Sequence, residues 1–81
     1  MGELAVTVKA VIDARGLACP MPLVKLRQAL MVLEAGEVVR LLATDPQTPD
    51  DVAEFCVAAA HTLLDQRREG ELIALVVRKG G

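Results

Sequence analysis

The first part of the chain alternates between two sets of side chains with a period of two. One set is apolar and the other is mixed, and β-branched residues are frequent in both, as is typical of a half-buried strand. The apolar set within residues 4–12 is Leu4, Val6, Val8, Ala10 and Ile12. Residues 38–43 are nearly all apolar, which favours a second strand in mid-sheet or covered on both faces. Residues 72–77 are continuously apolar and predict the last strand.

Two other segments have apolar residues at helical spacing. The first helix carries a leucine stripe, and Gly36 is the predicted stop just past its C-terminus; the stripe is Leu23, Leu26, Leu30 and Leu33. The second helix begins with Thr48 as the cap and Pro49 in the first helical position, followed by acidic residues that the macrodipole favours. Its predicted apolar face is Val52, Phe55, Cys56, Ala59 and Leu63. Residues 62–69 fit either a longer helix or a polar edge strand.

The predicted element order is β-α-β-α-(β)-β. A strand, helix and strand of these lengths predict a right-handed parallel crossover, and a final hairpin adds antiparallel pairing. We expect the two helices on one face of a small mixed sheet, in an α/β (α+β) fold. Residues 1–81 are too few for a second core, so a single domain is expected.

Composition and charge exclude several classes of function. Phe55 is the only aromatic residue and the net charge is −2, so a base-stacking platform or a basic phosphate-binding surface is not expected. Two cysteines are too few for a disulfide scaffold or a four-ligand zinc site. The uncharged stretch 55–64 is too short to span a bilayer, and the first residues do not resemble a signal peptide. We therefore expect a cytoplasmic protein with reduced thiols and no direct contact with nucleic acid or membrane.

The residues that carry chemistry lie at 13–22, between the first strand and the first helix. Pro20 forces Cys19 out of helical geometry, so we predict Cys19 as the N-cap and Pro20 as the first helical residue. A thiolate at the positive end of a helix is stabilised, which predicts a pKa for Cys19 below the ordinary value of about 8.5. The two prolines of the loop, Pro20 and Pro22, initiate the helix and hold the sulfur outward, although each removes one N–H donor.

Several uses of this cysteine are disfavoured by what the chain lacks. A redox pair needs a second cysteine at position 22, which is Pro. A cysteine protease needs a His base with an orienting partner, and the only His is His61, which is predicted to lie on the second helix. A metal site would have to combine Cys19, Cys56 and His61 without tight ligand spacing, so no metal is expected. An inert loop thiol and a covalent sulfur carrier stay open, and Cys56 is predicted to be core filler.

The chain resembles the TusA/SirA family of small sulfur carriers. The resemblance rests on Asp13 followed by the run Gly16-Leu17-Ala18-Cys19-Pro20-Met21-Pro22, and extends through Asp45-Pro46, Phe55-Cys56 and residues 78–81. It implies a two-layer sandwich with a mixed four-stranded sheet, and so favours a strand at residues 63–69. It implies that Cys19 carries a persulfide. For Asp45, which is otherwise interpreted as a turn and helix-entry residue, it adds contact with a partner as an alternative. The residues that it implies as support for the motif are Asp13, Arg15, Gly16, Leu17, Pro20 and Pro22.

The resemblance also implies partners for such a carrier. The sulfur donor would be a cysteine desulfurase or a rhodanese-like protein, and a downstream protein would accept the sulfur, with no cofactor and little turnover by the carrier alone. Destinations in the family are tRNA thiolation, molybdenum-cofactor assembly and dissimilatory sulfur trafficking. Two alternatives stay open: a regulatory or interaction module of the same fold, and a carrier that uses Gly80-Gly81 as a C-terminal thiocarboxylate.

Overall fold

The computed structural model describes residues 7–81 as a mixed sheet with two helices. The elements in chain order are β1 (Val8–Ala14), α1 (Met21–Val32), β2 (Val38–Ala43), α2 (Thr48–Ala59), β3 (Thr62–Glu69) and β4 (Leu72–Arg78). The strands lie in the order β1-β2-β4-β3. β1 and β2 pair in parallel, and β4 pairs antiparallel with both β2 and β3. The predicted fold is confirmed, and the ambiguous segment at residues 62–69 is the edge strand β3.

The core lies between the sheet and the two helices. α1 packs on β1 and β2, and α2 packs on β3 and β4. Alternate residues of β2 and β4 face the helices because successive side chains of a strand point to opposite faces. The buried cluster is Ala14, Leu26, Leu30, Val39, Leu41, Val52, Cys56, Ile73, Leu75 and Val77. Apart from Cys56 this cluster is aliphatic, as the near absence of aromatic residues requires.

The element boundaries differ from the predicted ones at several ends. β2 coincides with the prediction, whereas β1 extends to Ala14, and the predicted residues before position 7 lie outside the described part of the chain. α1 ends at Val32, so Gly36 is not its C-terminal glycine. Gly36 instead takes a φ of +89° in a turn that the amide of Glu37 closes by donating to the carbonyl of Glu34 at 3.0 Å.

The start of α2 and the extent of its apolar face also depart from the prediction. The N-cap of α2 is Gln47, and Thr48 is the first helical residue, 2 % exposed, so the prediction of Thr48 as the cap is wrong by one position. Its hydroxyl points into the protein and has no hydrogen-bond partner. Of the predicted apolar face, Ala59 is exposed and Leu63 belongs to β3.

The end of the chain is held by hydrogen bonds against the turn after α1 and the start of β3. The amide of Lys79 donates to the carbonyl of Glu37, and the carbonyl of Lys79 accepts from the amide of Gly36, both at 2.8 Å. The amide of Gly80 donates to Nδ1 of His61 at 2.9 Å. A Cβ atom on Gly80 would lie 1.7 Å from the carbonyl oxygen of Ala60, so this position requires glycine. Gly80 therefore has a packing role that needs no C-terminal chemistry.

Parallel pairing brings the two loops that follow β1 and β2 to one edge of the sheet. Ala14 is paired with Ala43 at the last position of the ladder, so the chain leaves both strands side by side. In α/β units this carboxyl edge of parallel strands is where functional groups collect. None of the helices within residues 7–81 is long and apolar enough to cross a membrane.

Candidate active site

The loop that carries Cys19 is fastened to the loop between β2 and α2. The amide of Gly16 donates to Oγ1 of Thr44 at 2.9 Å, and the amide of Cys19 donates to Oδ2 of Asp45 at 2.7 Å. Gly16 has a φ of +80°, in the left-handed region that favours glycine. Leu17 follows this turn and packs against the hydrophobic core. Two backbone donors and one anchored side chain therefore set the path of the loop.

Asp13 and Arg15 form an ion pair at the start of the same loop. The guanidinium of Arg15 donates from Nε to Oδ1 and from Nη2 to Oδ2 of Asp13, each at 2.9 Å. The amide of Arg15 also donates to Oδ1 of this carboxylate, at 3.1 Å. These hydrogen bonds from Arg15 lower the pKa of Asp13 to about 2. The pair stabilises the turn after β1. The role of Asp13 and Arg15 as support for the Cys19 motif stays a prediction.

Cys19 and its two neighbouring prolines occupy the junction of the loop with α1. The Cys19–Pro20 peptide bond is cis, and the N-cap of α1 is Pro20 rather than Cys19. The first helical residue is Met21, whose amide donates to the carbonyl of Ala18 at 2.9 Å. The predicted N-cap and first helical position are therefore each wrong by one residue. Pro22 is buried in the first turn of α1.

The thiol of Cys19 is exposed and donates a hydrogen bond to a carboxylate. Its Sγ lies 2.7 Å from Oδ2 of Asp51, in the first turn of α2. This hydrogen bond raises the pKa of Cys19 above the ordinary thiol value, and partial desolvation and the negative charges of Asp51 and Asp45 act in the same direction.

The predicted lowering of the Cys19 pKa is therefore wrong. The helix dipole acts mainly within the first turn, and Cys19 lies two residues before the first helical residue. Pro20 and Pro22 cannot supply N–H donors to the sulfur. Arg15 is paired with Asp13, and the charges that shift the Cys19 pKa are the two carboxylates of Asp45 and Asp51.

Asp51 is the residue of the site that sequence reasoning missed. The sequence pattern predicts only that Asp51 is one of the acidic residues that stabilise the start of α2. It lies 32 positions from Cys19, and only the parallel pairing of β1 with β2 brings the first turn of α2 beside the cysteine loop. The spacing of Asp45, Asp50 and Asp51 behind an apolar strand was the available signal, but it could not say which carboxylate faces the sulfur.

The second cysteine is separated from this site by its burial. Cys56 is 3 % exposed among the aliphatic residues of the core, as predicted, and burial raises the pKa of its thiol. Cys19 is thus the exposed member of the two free cysteines. Among residues 7–81 no three His, Cys, Asp or Glu side chains lie close enough together to hold a metal ion.

Comparisons with known proteins identify relatives of the whole sheet-and-helix unit. A profile of the family described as sulfurtransferase TusA matches residues 10–79. The chain is 41% identical over 70 residues to the sulfur carrier protein TusA of Pseudomonas entomophila, covering 86% of this chain and 88% of that protein. It is 40% identical over 73 residues to the sulfur carrier protein TusA of Pseudomonas putida, covering 90% and 91%.

A solved structure with the same fold is that of a SirA-like protein from Desulfitobacterium hafniense. It superposes with a TM-score of 0.77 and 23% sequence identity, covering 89% of this chain and 99% of that one. At this identity the likeness concerns the fold: a mixed four-stranded sheet under two helices.

Proposed function

The chain belongs to the sulfurtransferase TusA family, and from this premise we propose that it carries sulfane sulfur as a persulfide on Cys19. The observation that carries the proposal is the position of this thiol. Cys19 is exposed at the end of a loop that hydrogen bonds fasten to the next loop, whereas Cys56 is buried. A carrier needs one sulfur that partners can reach and no second thiol near enough to displace the cargo as a disulfide.

The proposed transfer is an exchange at sulfur that needs no oxidant. The sulfur of Cys19 attacks the outer sulfur of a donor persulfide, a new S–S bond forms, and the donor's S–S bond breaks. The donor's inner sulfur leaves as a thiolate and takes up the proton that Cys19 loses. In the second half, the sulfur of an acceptor thiol attacks the outer sulfur held on Cys19, a new S–S bond forms on the acceptor, and the S–S bond to Cys19 breaks. The Cys19 sulfur leaves as a thiolate and takes up the proton that the acceptor thiol loses, which regenerates the Cys19 thiol.

The partners follow from this chemistry. The donor must present a protein persulfide, and we propose a cysteine desulfurase or a rhodanese-like protein in this role. A downstream protein accepts the sulfur, for tRNA thiolation, cofactor assembly or dissimilatory sulfur trafficking. Both oxygens of Asp45 already accept hydrogen bonds from backbone amides. In the proposed contact, a partner would therefore bind this carboxylate while both of these hydrogen bonds stay in place. A reducing cytoplasm, which keeps the thiol free, is the proposed location.

Mass spectrometry of the intact protein tests the carrier proposal. Wild type, Cys19→Ser and Cys56→Ser are incubated with a cysteine desulfurase and cysteine, and circular dichroism verifies that each is folded. We expect wild type and Cys56→Ser to gain about 32 Da, the mass of one sulfur atom added by exchange. Cys19→Ser is expected to gain nothing.

Three results would contradict the proposal in different ways. No gain by wild type with either a desulfurase or a rhodanese-like donor would favour a regulatory or interaction module. Equal gain by Cys19→Ser and wild type, with none in Cys56→Ser, would move the chemistry to the buried thiol. A smaller mass gain, from replacement of one carboxyl oxygen by sulfur, in both serine variants and only when ATP and an adenylating enzyme are present would favour a thiocarboxylate at Gly81.

A further inference from the structure

The sulfur of Cys19 belongs to a closed ring of hydrogen bonds among four residues. The thiol donates to Oδ2 of Asp51 at 2.7 Å, and Nε2 of Gln47 donates to Oδ1 of Asp51 at 3.3 Å. The backbone amide of Gln47 donates to Oδ1 of Asp45 at 2.9 Å. The backbone amide of Cys19 closes the ring by donating to Oδ2 of Asp45 at 2.7 Å. Both oxygens of Asp51 are therefore occupied, one by the thiol and one by an amide.

The backbone holds Asp51 in this position. It lies in the first turn of α2, and its amide donates to the carbonyl of Gln47 at 3.2 Å. The next residue, Val52, is fully buried in the core and fixes the rotation of the helix. The carboxylate therefore does not sit on a mobile loop, and its distance from Sγ is set by the packing of α2 on the sheet.

A carboxylate at this distance distinguishes the two protonation states of the sulfur. An ionised Asp is only an acceptor, so it can bond the S–H form but not the thiolate. Ionisation of Cys19 would replace the hydrogen bond by two negative charges at 2.7 Å. We propose that Asp51 is a positioning residue that holds Cys19 as a neutral thiol in the unloaded carrier, a proposal that rests on the carrier function above.

Asp51 has less influence on the loaded carrier, because the reactive atom of the persulfide is the outer sulfur and not Sγ of Cys19. In the persulfide, the outer sulfur is one S–S bond of about 2.05 Å farther along the chain of atoms. The ionisable proton belongs to the outer sulfur, and Sγ no longer has a proton to donate to Asp51. The carboxylate therefore disfavours the anion on the empty carrier more strongly than on the loaded one.

This difference gives the empty and loaded carriers different reactivity. A neutral thiol reacts slowly with oxidants and alkylating agents, since the thiolate is the nucleophile. Loading removes the proton of Cys19 as the new S–S bond forms and delivers it to the donor's departing sulfur. Unloading returns a proton from the acceptor thiol to Sγ, which then donates to Asp51 again. No proton or electron is left over in the cycle.

Other charged groups near the loop are arranged so that Asp51 dominates. Asp45 is the second carboxylate that raises the pKa of Cys19, and it acts through its charge while its oxygens bind backbone amides. The charged groups of the loop and of the elements around it are Lys9 and Asp13 on β1, Arg15 on the loop, Lys25 and Arg27 on α1, Arg40 on β2, Asp45 on the β2–α2 loop, and Asp50, Asp51 and Glu54 on α2. Within the described chain, Asp51 is the carboxylate hydrogen-bonded to the thiol.

The test compares the pH profile of Cys19 alkylation by iodoacetamide in wild type, Asp51→Asn and the matched control Asp50→Asn. Both variants remove one negative charge from the first turn of α2, but Asp50 is exposed and has no bond to the sulfur. We expect the Asp51→Asn profile to move to lower pH by about one unit, which raises the thiolate fraction about tenfold below the pKa. Because nucleophilicity falls with pKa, the rate at neutral pH should rise about threefold. Asp50→Asn should retain the wild-type profile.

Further measurements separate positioning from folding and from the carrier function. Asp51→Glu keeps a carboxylate and should return the profile toward wild type, and alkylation of the persulfide-loaded proteins should differ little between wild type and Asp51→Asn. An unshifted or upward-shifted Asp51→Asn profile, or an equal shift in Asp50→Asn, overturns the proposal. If wild type gains no sulfur from any donor while the profile still shifts, the carrier function fails and the thiol–carboxylate coupling stands.

Discussion

The two cysteines of this protein are the same residue in two opposite settings. Cys19 lies at the surface on a loop held by hydrogen bonds, and Cys56 lies in the aliphatic core. The pKa of each thiol is raised, but for Cys19 the first cause is a neighbouring carboxylate, and for Cys56 it is burial. A raised pKa therefore has two meanings. At Cys19 the pKa can be altered by replacing one neighbouring carboxylate or by adding sulfur, whereas at Cys56 it follows from burial in the core.

The largest expected difference between the two cysteines is in their response to the same substitution, by serine. Cys19→Ser should lose all sulfur loading and leave the free energy of unfolding nearly unchanged, because the side chain is exposed. Cys56→Ser should keep loading and lose about 1–3 kcal/mol, the cost of burying a hydroxyl without a good partner. Urea denaturation and intact mass measure the two effects. Equal destabilisation by both variants would contradict the division between a surface sulfur and a core sulfur.

The next largest expected effect is the loss of stability when a methyl group is added near the end of the chain. Gly80→Ala places a Cβ atom 1.7 Å from the carbonyl oxygen of Ala60, at the C-terminal end of the helix that carries Cys56. We expect a loss of about 1–3 kcal/mol from overpacking, measured by thermal or urea unfolding. Gly81→Ala, which meets nothing within 4 Å, is the matched control and should be neutral. A neutral Gly80→Ala would show that this contact relaxes easily.

The loop should respond to loss of one of its fastenings with a smaller change. Thr44→Val removes the hydroxyl that accepts the hydrogen bond from the amide of Gly16. The expected cost is about 0.5–1.5 kcal/mol, the usual net contribution of one hydrogen bond. Hydrogen exchange should become faster at the Gly16 amide and stay unchanged at Leu41 in the core. Faster exchange at both sites would mean that the loop and the core open together.

Acid should weaken the loop before it affects the core, by the smallest of these effects. The pKa of Asp13 is about 2, below the value of 3.8 of an unperturbed Asp, so its pairing with Arg15 favours the folded loop above pH 3.8. That contribution is lost as the pH falls from about 3.8 through about 2. NMR titration of the Asp13 carboxyl should show a midpoint near pH 2 in wild type. A midpoint near 3.8 would contradict the pairing, and Arg15→Gln should move the midpoint upward.

Local patterns were sufficient for most of the fold. Period-two and helical spacings placed the strands and helices, and β2 was predicted with its observed bounds. The ends of the helices are less predictable, because the residue that caps a helix depends on which side chains near its start are buried. Threonine is a residue type that often caps helices, but the side chain of Thr48 is turned into the protein. The polar strand β3 has no apolar alternation that distinguishes it from a helix, and pairing with β4 decides its conformation.

The sequence by itself determined which of the two cysteines lies in an exposed loop and which lies in the core. The position of Cys19 between a strand and a proline-started helix, and of Cys56 on an apolar helical face, are local properties that a pattern of neighbours records. The tertiary structure alone decided the ionisation of the Cys19 thiol. Asp45 and Asp51 reach Cys19 from 26 and 32 positions away, across a parallel strand pair. Electrostatic energy depends on distance in space. The two carboxylates therefore raise the pKa of Cys19, although its position just before a helix predicts a lower pKa.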